Sequence, residues 1–531
     1  MAKTINEDVR MVVGIDFGTT FSTYAYAHKE NKNEISANDD WSFYGRYKTP
    51  TALLYDEQLK LLEWGLPALA GRQKKNKSLH WVELFKLCLI KSTKRPTLPP
   101  GLSFKTAISD YLRKLGDSIK ETLESRWPGL KFFRQVLLVL TVPAEYDNDA
   151  ITIMRECALN ADLIKTKESP YLIFTTEPEA ASIHCMRSSK EYELKIGDSF
   201  MVVDCGGGTV DLSTKILSEG EKLKEAIEQN GEECGGIFVD KEFLKFLGKK
   251  VGRLAVEMVS KNHYGDLQRM LQEFCQFVKI PFTGKSEGFK SYELDLEQIC
   301  PVIKQYVINE YKEKMEEDDW VVTIEFNDVR SMFDPVIEKI LRLIRSQLEK
   351  WENCSAMILV GGFSESKYLQ SRIRKEFNTS MNNKIFVPPE PMMAIVKGAV
   401  KFGLNQEVIA DRILKWTYGT DIRNDLGNNV FDTMVKKGTR VLVNEKVSKV
   451  YTPVWKDQVK MGLDLFTTNR DGADFCNDPH VNLLGKFCID IPLNSDNRSI
   501  LYSLRFGTEI QATATNIKSG ENYVTTFELD I

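Results

Sequence analysis

Short apolar runs that stop abruptly at an acidic residue or a glycine turn recur along this chain. Met11-Val12-Val13-Gly14-Ile15 ends at Asp16, and Gly18-Thr19-Thr20 follows before residues 21–27 alternate aromatic and small side chains. That pattern predicts strand, tight turn, strand. Residues 136–142 form a second apolar run, stopped by Pro143. Phe200-Met201-Val202-Val203 ends at Asp204, and Met357-Ile358-Leu359-Val360 ends at Gly361-Gly362. Between these runs the period changes. Phe333, Ile337, Ile340, Leu341, Ile344 and Leu348 keep one helical face apolar, which predicts a helix over 333–348. Strands mixed with helices over the first 400 or so residues predict an α/β body.

After Gly403 the texture becomes that of strands alone. Val459, Met461, Leu463 and Leu465 alternate with polar neighbours, as do Ile510, Ala512 and Ala514. Gly438, Gly462, Gly485, Gly507 and Gly520 punctuate the segment as turns or bulges do. An antiparallel β-sandwich is the expectation from residue 435 to the end.

Composition narrows the classes. The 531 residues carry 71 Lys+Arg against 75 Asp+Glu, a net charge of −4 that supplies no field for nucleic acid or an anionic membrane. No apolar run approaches the roughly 20 residues of a membrane helix, and residues 1–8 do not resemble a signal peptide. The ten cysteines are scattered without a C-x-x-C, as in reduced cytoplasmic proteins. The five histidines, His28, His80, His184, His263 and His480, lie too far apart in sequence for a zinc motif.

The informative chemistry is an internal repeat. Val12-Val13-Gly14-Ile15-Asp16-Phe17-Gly18-Thr19-Thr20 is echoed by Met201-Val202-Val203-Asp204-Cys205-Gly206-Gly207-Gly208-Thr209. In each, an apolar strand delivers an Asp, a spacer, glycines and Thr, then a second strand. Glycines let backbone N–H groups approach an anion, and threonines add hydroxyl donors. An Asp at the strand end would repel phosphate directly, so it is suited to holding hydrated Mg²⁺ or orienting water. Two facing turns of this kind would grip the β- and γ-phosphates of a nucleotide. A third turn, Val360-Gly361-Gly362-Phe363-Ser364, precedes an expected helix over 367–377 and suits the nucleoside end. Residues 71–78 nearly match a P-loop but lack its second glycine. Their lysines read as an exposed loop, with a nuclear signal as the alternative.

These two turns, with Glu177-Pro178-Glu179-Ala180-Ala181, Val360-Gly361-Gly362 and a helix over 394–400, resemble the actin-like ATPase superfamily. Thr141-Val142-Pro143-Ala144 and the Glu177-Pro178 segment resemble the 70-kDa heat-shock chaperones in particular. Val435-Lys436-Lys437-Gly438-Thr439 and Leu483-Leu484-Gly485-Lys486-Phe487 resemble the peptide-binding β-sandwich of that family. Residues 396–404 and 505–510 are similar to its divergent heat shock 70 kDa protein 12 branch. The resemblance implies a duplicated actin-like, ribonuclease-H-like body, with lobe I at 1–200 and lobe II at 201–403. A connector at 404–434 and a β-sandwich at 435–531, with no helical lid, complete the expected organisation.

Carried over by position, the resemblance implies that Asp16 and Asp204 face Mg²⁺ through water. Gly18, Thr19, Thr20, Gly206, Gly207, Gly208 and Thr209 correspond to the family's phosphate contacts. Gly235, Gly236, Lys279, Thr283, Gly361 and Gly362 match other nucleotide-binding positions. Glu177 corresponds to the acid near the attacking water, Asp211 stands beside the second turn, and Lys86 falls where a phosphate-polarising lysine is expected. Attack of water on the γ-phosphate of ATP, leaving ADP, is the implied reaction.

The departures are equally specific. Ile280 and Glu365 stand where the family clamps adenine between two arginines, and Gln276 replaces an acid. Ile151 replaces an arginine of the family's nucleotide relay, and no leucine run joins Gly403 to Lys436. Three readings follow. The first is a slow chaperone-like ATPase whose β-domain engages protein clients or signalling partners. The second is a hydrolysis-poor, nucleotide-sensing scaffold. The third is a small-molecule kinase, against which the appended β-domain argues. A cytoplasmic location is expected, with access to the nucleus under the alternative reading of 71–78.

Overall fold

A computed structural model describes residues 8–39, 41, 47–70, 79–90, 96–186, 191–423, 429–443, 445–455, 457–491 and 498–526. The lysine-rich loop at 71–78 lies outside the described residues.

The first expected strand is β1 (Met11–Phe17), buried along its whole length. It pairs antiparallel with β2 (Phe21–His28) and parallel with β3 (Val136–Val142), which continues parallel to β4 (Leu172–Thr176). The arrangement recurs around β5 (Ser199–Cys205), antiparallel to β6 (Val210–Ser218) and parallel to β7 (Cys354–Val360). In both sheets the repeated motif is therefore the central strand, joined to its antiparallel partner by the repeated turn.

Alternation along the central strands assigns each side chain to one of two cores. Met11, Val13 and Ile15 enter a cluster with Ile108, Leu112 and Ile119 of α1 (Phe104–Arg126). Met201, Val203 and Cys205 enter a separate cluster with Phe333, Ile337 and Ile340. The opposite faces share one core, in which Val12 and Val139 meet Phe200, Val202 and Ile358. That shared core contains α2 (Glu177–Met186) and α3 (Ala394–Leu404). The two helices cross so closely that a Cβ on Gly398 would overlap the carbonyl oxygen of Ala180. A Cβ on Gly14 would stand 2.7 Å from the carbonyl oxygen of Val396. Small residues at these points set the depth of packing.

The helix expected over 333–348 is longer, Phe326–Lys350. Val329 and Met332 carry the buried face back toward a first turn set by a capping box, in which Glu325 and Asp328 exchange backbone bonds.

Beyond Leu404 two four-stranded antiparallel sheets share a core. One contains Thr417–Arg423, Asn429–Val435, Leu465–Thr468 and Val481–Gly485. The other contains Lys446–Tyr451, Ile500–Phe506, Ile510–Asn516 and Asn522–Thr526. Strands thus occur within 404–434 as well as after it. Met461, Leu463 and Leu465 are buried as the alternation expects, but Val459 is 50% exposed. It precedes the short strand Lys460–Gly462 and makes only an edge contact, its carbonyl accepting from Ile491 N–H at 2.8 Å.

Candidate functional site

The two repeated turns meet. A Cβ added to Gly207 would overlap Thr20 Oγ1, and one added to Gly208 would lie 2.9 Å from Thr19 Oγ1. Each turn is also braced from behind. Thr51 donates its N–H to Thr20 O at 2.8 Å and its hydroxyl to Gly18 O at 2.8 Å. In the second turn Gly206 N–H donates to Thr209 O at 3.0 Å. The N–H groups of Gly235, Gly236 and Ile237 bond to Gly208 O, Gly206 O and Gly207 O at 3.1, 3.1 and 2.9 Å. The helix that begins at Ile237 therefore holds the second turn by its carbonyls. A Cβ on Gly235 would stand 2.5 Å from Gly207 O, so this approach requires glycine.

The third turn reaches the same place. Gly361 has φ +84°, and a Cβ there would overlap Asp204 Oδ1 and stand 2.5 Å from Cys205 O. Gly362 opens onto free space, and the helix expected after it runs from Lys367 to Phe377 with Ser366 as its cap.

Strand ends deliver the acids. Asp16 and Asp204 terminate equivalent strands, and Asp204 lies opposite Asp211 in the register of β5 with β6. Glu177 opens α2, and its Oε1 receives Lys86 Nζ at 2.7 Å in a buried ion pair. Lys86 also lies 5.7 Å from the centroid of Phe17 and 5.9 Å from that of Tyr146. Asp16 is paired with Lys48, 2.7 Å from its Oδ2. Asp211 Oδ1 accepts the Ala144 N–H at 3.0 Å.

Two charged members of the site went unrecognised in the sequence. Lys48 sits in no motif. Glu145 directly follows the Thr141–Ala144 segment, and being a carboxylate just past a buried strand end was its only signal. Positions 2.7 Å from Glu145 Oε2 and from Asp211 Oδ1 coincide at the missing Cβ of Gly231, so the two carboxyls are neighbours.

Negative charge is crowded here. Among the described residues, both oxygens of Glu145, Asp204 Oδ1 and Asp211 Oδ2 are buried without a hydrogen-bond partner. Burial, then the Glu177, Asp211 and Asp16 carboxylates, holds Asp204 well above the usual carboxylate range. Burial and Asp211 do the same to Glu145, and burial raises Asp211 itself. Glu177 is raised to about 7 by burial, which the Lys86 ammonium opposes and which Asp211 and Asp16 reinforce. Carboxyls in this condition favour an added cation or proton.

Among the described residues no three His, Cys, Asp or Glu side chains converge to hold a metal ion directly. The unpartnered Asp204 oxygen fits contact with a hydrated cation through water instead. Turn hydroxyls and glycine backbone beside such a cation suit a polyanion that carries its own divalent ion.

The nucleoside-side residues are less convergent. Lys279 donates to Gly236 O at 2.7 Å and to Asp240 Oδ1 at 2.6 Å, so it adjoins the second turn but is already paired. Burial would lower its pKa, yet Asp240 more than offsets this and raises it. Thr283 is exposed and accepts the local N–H of Lys285 at 3.3 Å. Ile280 is 70% exposed, and Glu365 is also exposed.

No family model matches the chain. Among curated proteins, heat shock 70 kDa protein 12A of Homo sapiens is 25% identical over 96% of this chain and 90% of its own length. Heat shock 70 kDa protein 12B of Homo sapiens is 24% identical over the same shares. Chaperone protein DnaK of Thermosipho melanesiensis is 24% identical, over 86% of this chain and 70% of its own.

Proposed function

We propose that this chain, similar over most of its length to curated 70-kDa heat-shock proteins, is a divergent member of that family that binds MgATP and MgADP and slowly hydrolyses the γ-phosphate. The observation that carries this reading is the meeting of the two repeated turns, Gly207 against Thr20 and Gly208 against Thr19. In this proposal residues 1–200 and 201–403 are the two lobes of an actin-like body, and the nucleotide lies between them. The C-terminal sheets, which begin with the strand Thr417–Arg423, engage protein partners. Among the described residues no helix is long and apolar enough to cross a membrane.

The roles follow from chemistry. Thr19, Thr20, Gly207, Gly208 and Thr209 receive the β- and γ-phosphates with hydroxyl and backbone donors, while Gly206, its N–H held by Thr209 O, closes the turn. Asp16 and Asp204 would hold Mg²⁺ through its water shell; when bound, the ion neutralises phosphate charge. Lys86 is poised to leave Glu177 for the γ-phosphate, which frees Glu177 to orient the attacking water. Gly235, Gly236, Gly361 and Gly362 shape the wall toward the nucleoside, with Lys279 and Thr283 beyond. Single-turnover phosphate release from MgATP tests the reading. Slow release that Asp204→Asn abolishes is expected, and release equal in both proteins would refute it.

A hydrolysis-poor scaffold is the second reading, favoured by one specific observation. The lysines at the turns are already neutralised, Lys86 by Glu177, Lys48 by Asp16 and Lys279 by Asp240. Nucleotide binding without measurable phosphate release would select it.

A further inference from the structure

The segment after α3 does not run free of the body. Ile409 bridges Leu223 in parallel, and Ala410 N–H donates to Leu223 O at 2.9 Å. Ile413 N–H donates to Glu225 Oε2 at 2.8 Å, and Asp411 Oδ1 accepts Glu225 N–H at 2.9 Å. Arg412 grips Glu179 with both arms, Nε to Oε1 at 2.9 Å and Nη2 to Oε2 at 2.8 Å. Glu179 is 1% exposed and lies two residues from Glu177, in the same helix. These bonds fix where the next residues fall. Lys415 then donates Nζ to Ala144 O at 2.8 Å, and Ala144 donates its N–H to Asp211 Oδ1 at 3.0 Å.

We propose that Lys415 is a positioning residue for the phosphate site, holding Asp211 and Glu145 in place through the backbone of Ala144. The inference rests on the nucleotide reading above for its functional consequence, while its structural content stands without nucleotide. The carbonyl that Lys415 holds belongs to the peptide leading into Glu145. The N–H on the other side of Ala144 donates to Oδ1 of the buried Asp211, whose Oδ2 has no hydrogen-bond partner among the described residues. Burial raises Asp211, and the Lys415 ammonium, after the neighbouring Glu145, Thr209 and Ala144, helps ease its ionisation. The lysine comes from the segment entering the C-terminal sheets, so the phosphate site is completed by a group outside the body that carries the turns.

The test uses the full chain with Lys415→Met and Lys415→Arg. Amide exchange of Ala144 in nucleotide-free protein is read first, then single-turnover phosphate release and MgADP affinity. Arg155→Met is the control. It removes a separate contact with the C-terminal portion, Arg155 to Glu509 at 2.6 and 2.5 Å, without touching Ala144. Lys415→Met is expected to speed Ala144 exchange and slow phosphate release about tenfold, the factor that one hydrogen bond supplies. MgADP affinity should stay within about twofold, and Lys415→Arg should restore both readouts. Unchanged Ala144 exchange in Lys415→Met would overturn the proposal. So would an equal acceleration in Arg155→Met, which would trace the effect to general loosening. Faster Ala144 exchange in a chain that neither binds nor cleaves nucleotide would support the positioning role and refute the nucleotide reading.

Discussion

Thr20 and Gly207 belong to the two copies of one sequence motif, and they meet so closely that any side chain on Gly207 would overlap the Thr20 hydroxyl. Two strand–turn–strand units that are far apart in sequence thus place their glycines and threonines at one point. A single such turn is a hairpin; two that face each other make a cradle.

The third turn should tolerate no side chain. Gly361→Ala imposes φ +84° on an L-residue and drives a methyl group onto Asp204. A loss of about 1–3 kcal/mol of stability is expected by thermal unfolding, together with weaker MgATP binding. A variant with native stability and affinity would contradict the described contact.

Breaking the buried Arg412–Glu179 pair should cost more than replacing both partners. Arg412→Met leaves Glu179 with the Thr175 hydroxyl at 3.4 Å and Lys215 Nζ at 3.9 Å, neither a close charge-assisted hydrogen bond. A destabilisation of about 3–5 kcal/mol is expected for the single change, and less than the sum for the double variant with Glu179→Gln. Additive effects in a denaturation cycle would show that the pair does not interact.

Stability of the nucleotide-free chain should fall as pH rises. Glu145, Glu177, Asp204 and Asp211 all have pKa values raised above their unfolded ones, so the folded state binds protons more readily. That contribution is complete below the ordinary carboxylate values and fades as pH climbs through the raised ones, about 7 for Glu177. Melting temperatures should therefore drop between about pH 5.5 and pH 8, and Glu145→Gln should shrink the drop. An identical slope in that variant would remove Glu145 from the cluster.

Base selectivity should be poor. Ile280 and Glu365 provide no guanidinium plane, and each missing cation–π contact forgoes roughly 0.5–2 kcal/mol. GTP should compete with ATP within about tenfold in affinity. A strong preference for adenine would show that other residues read the base.

Much of this architecture was legible because apolar runs bounded by Asp and Gly leave few alternatives. The four strands read from the sequence are found at or within two or three residues of their expected ends, and the repeat places Asp16 and Asp204 equivalently. Lys48 and Glu145 were not legible. Their importance comes from tertiary neighbours, Asp16 and Asp211, and a lone charged residue beside a strand end has no period to betray it. Val459 failed for a related reason, since alternation continues in sequence where the pairing has already broken. The helix over Phe326–Lys350 starts before the expected 333, where the buried Val329 and Met332 carry its apolar face back to a capping box at Glu325 and Asp328. The Arg412–Glu179 and Lys415–Ala144 contacts join residues too distant in sequence for any local pattern to connect them.

Calorimetric titration of the full chain with MgATP and MgADP tests the facing-turn cradle most directly, repeated with Asp16→Ala and with Asp204→Ala. Binding of both nucleotides by the native chain, abolished by either substitution, is the expected result. Absence of binding in the native chain, or binding that survives both substitutions, would contradict a phosphate site between the two turns.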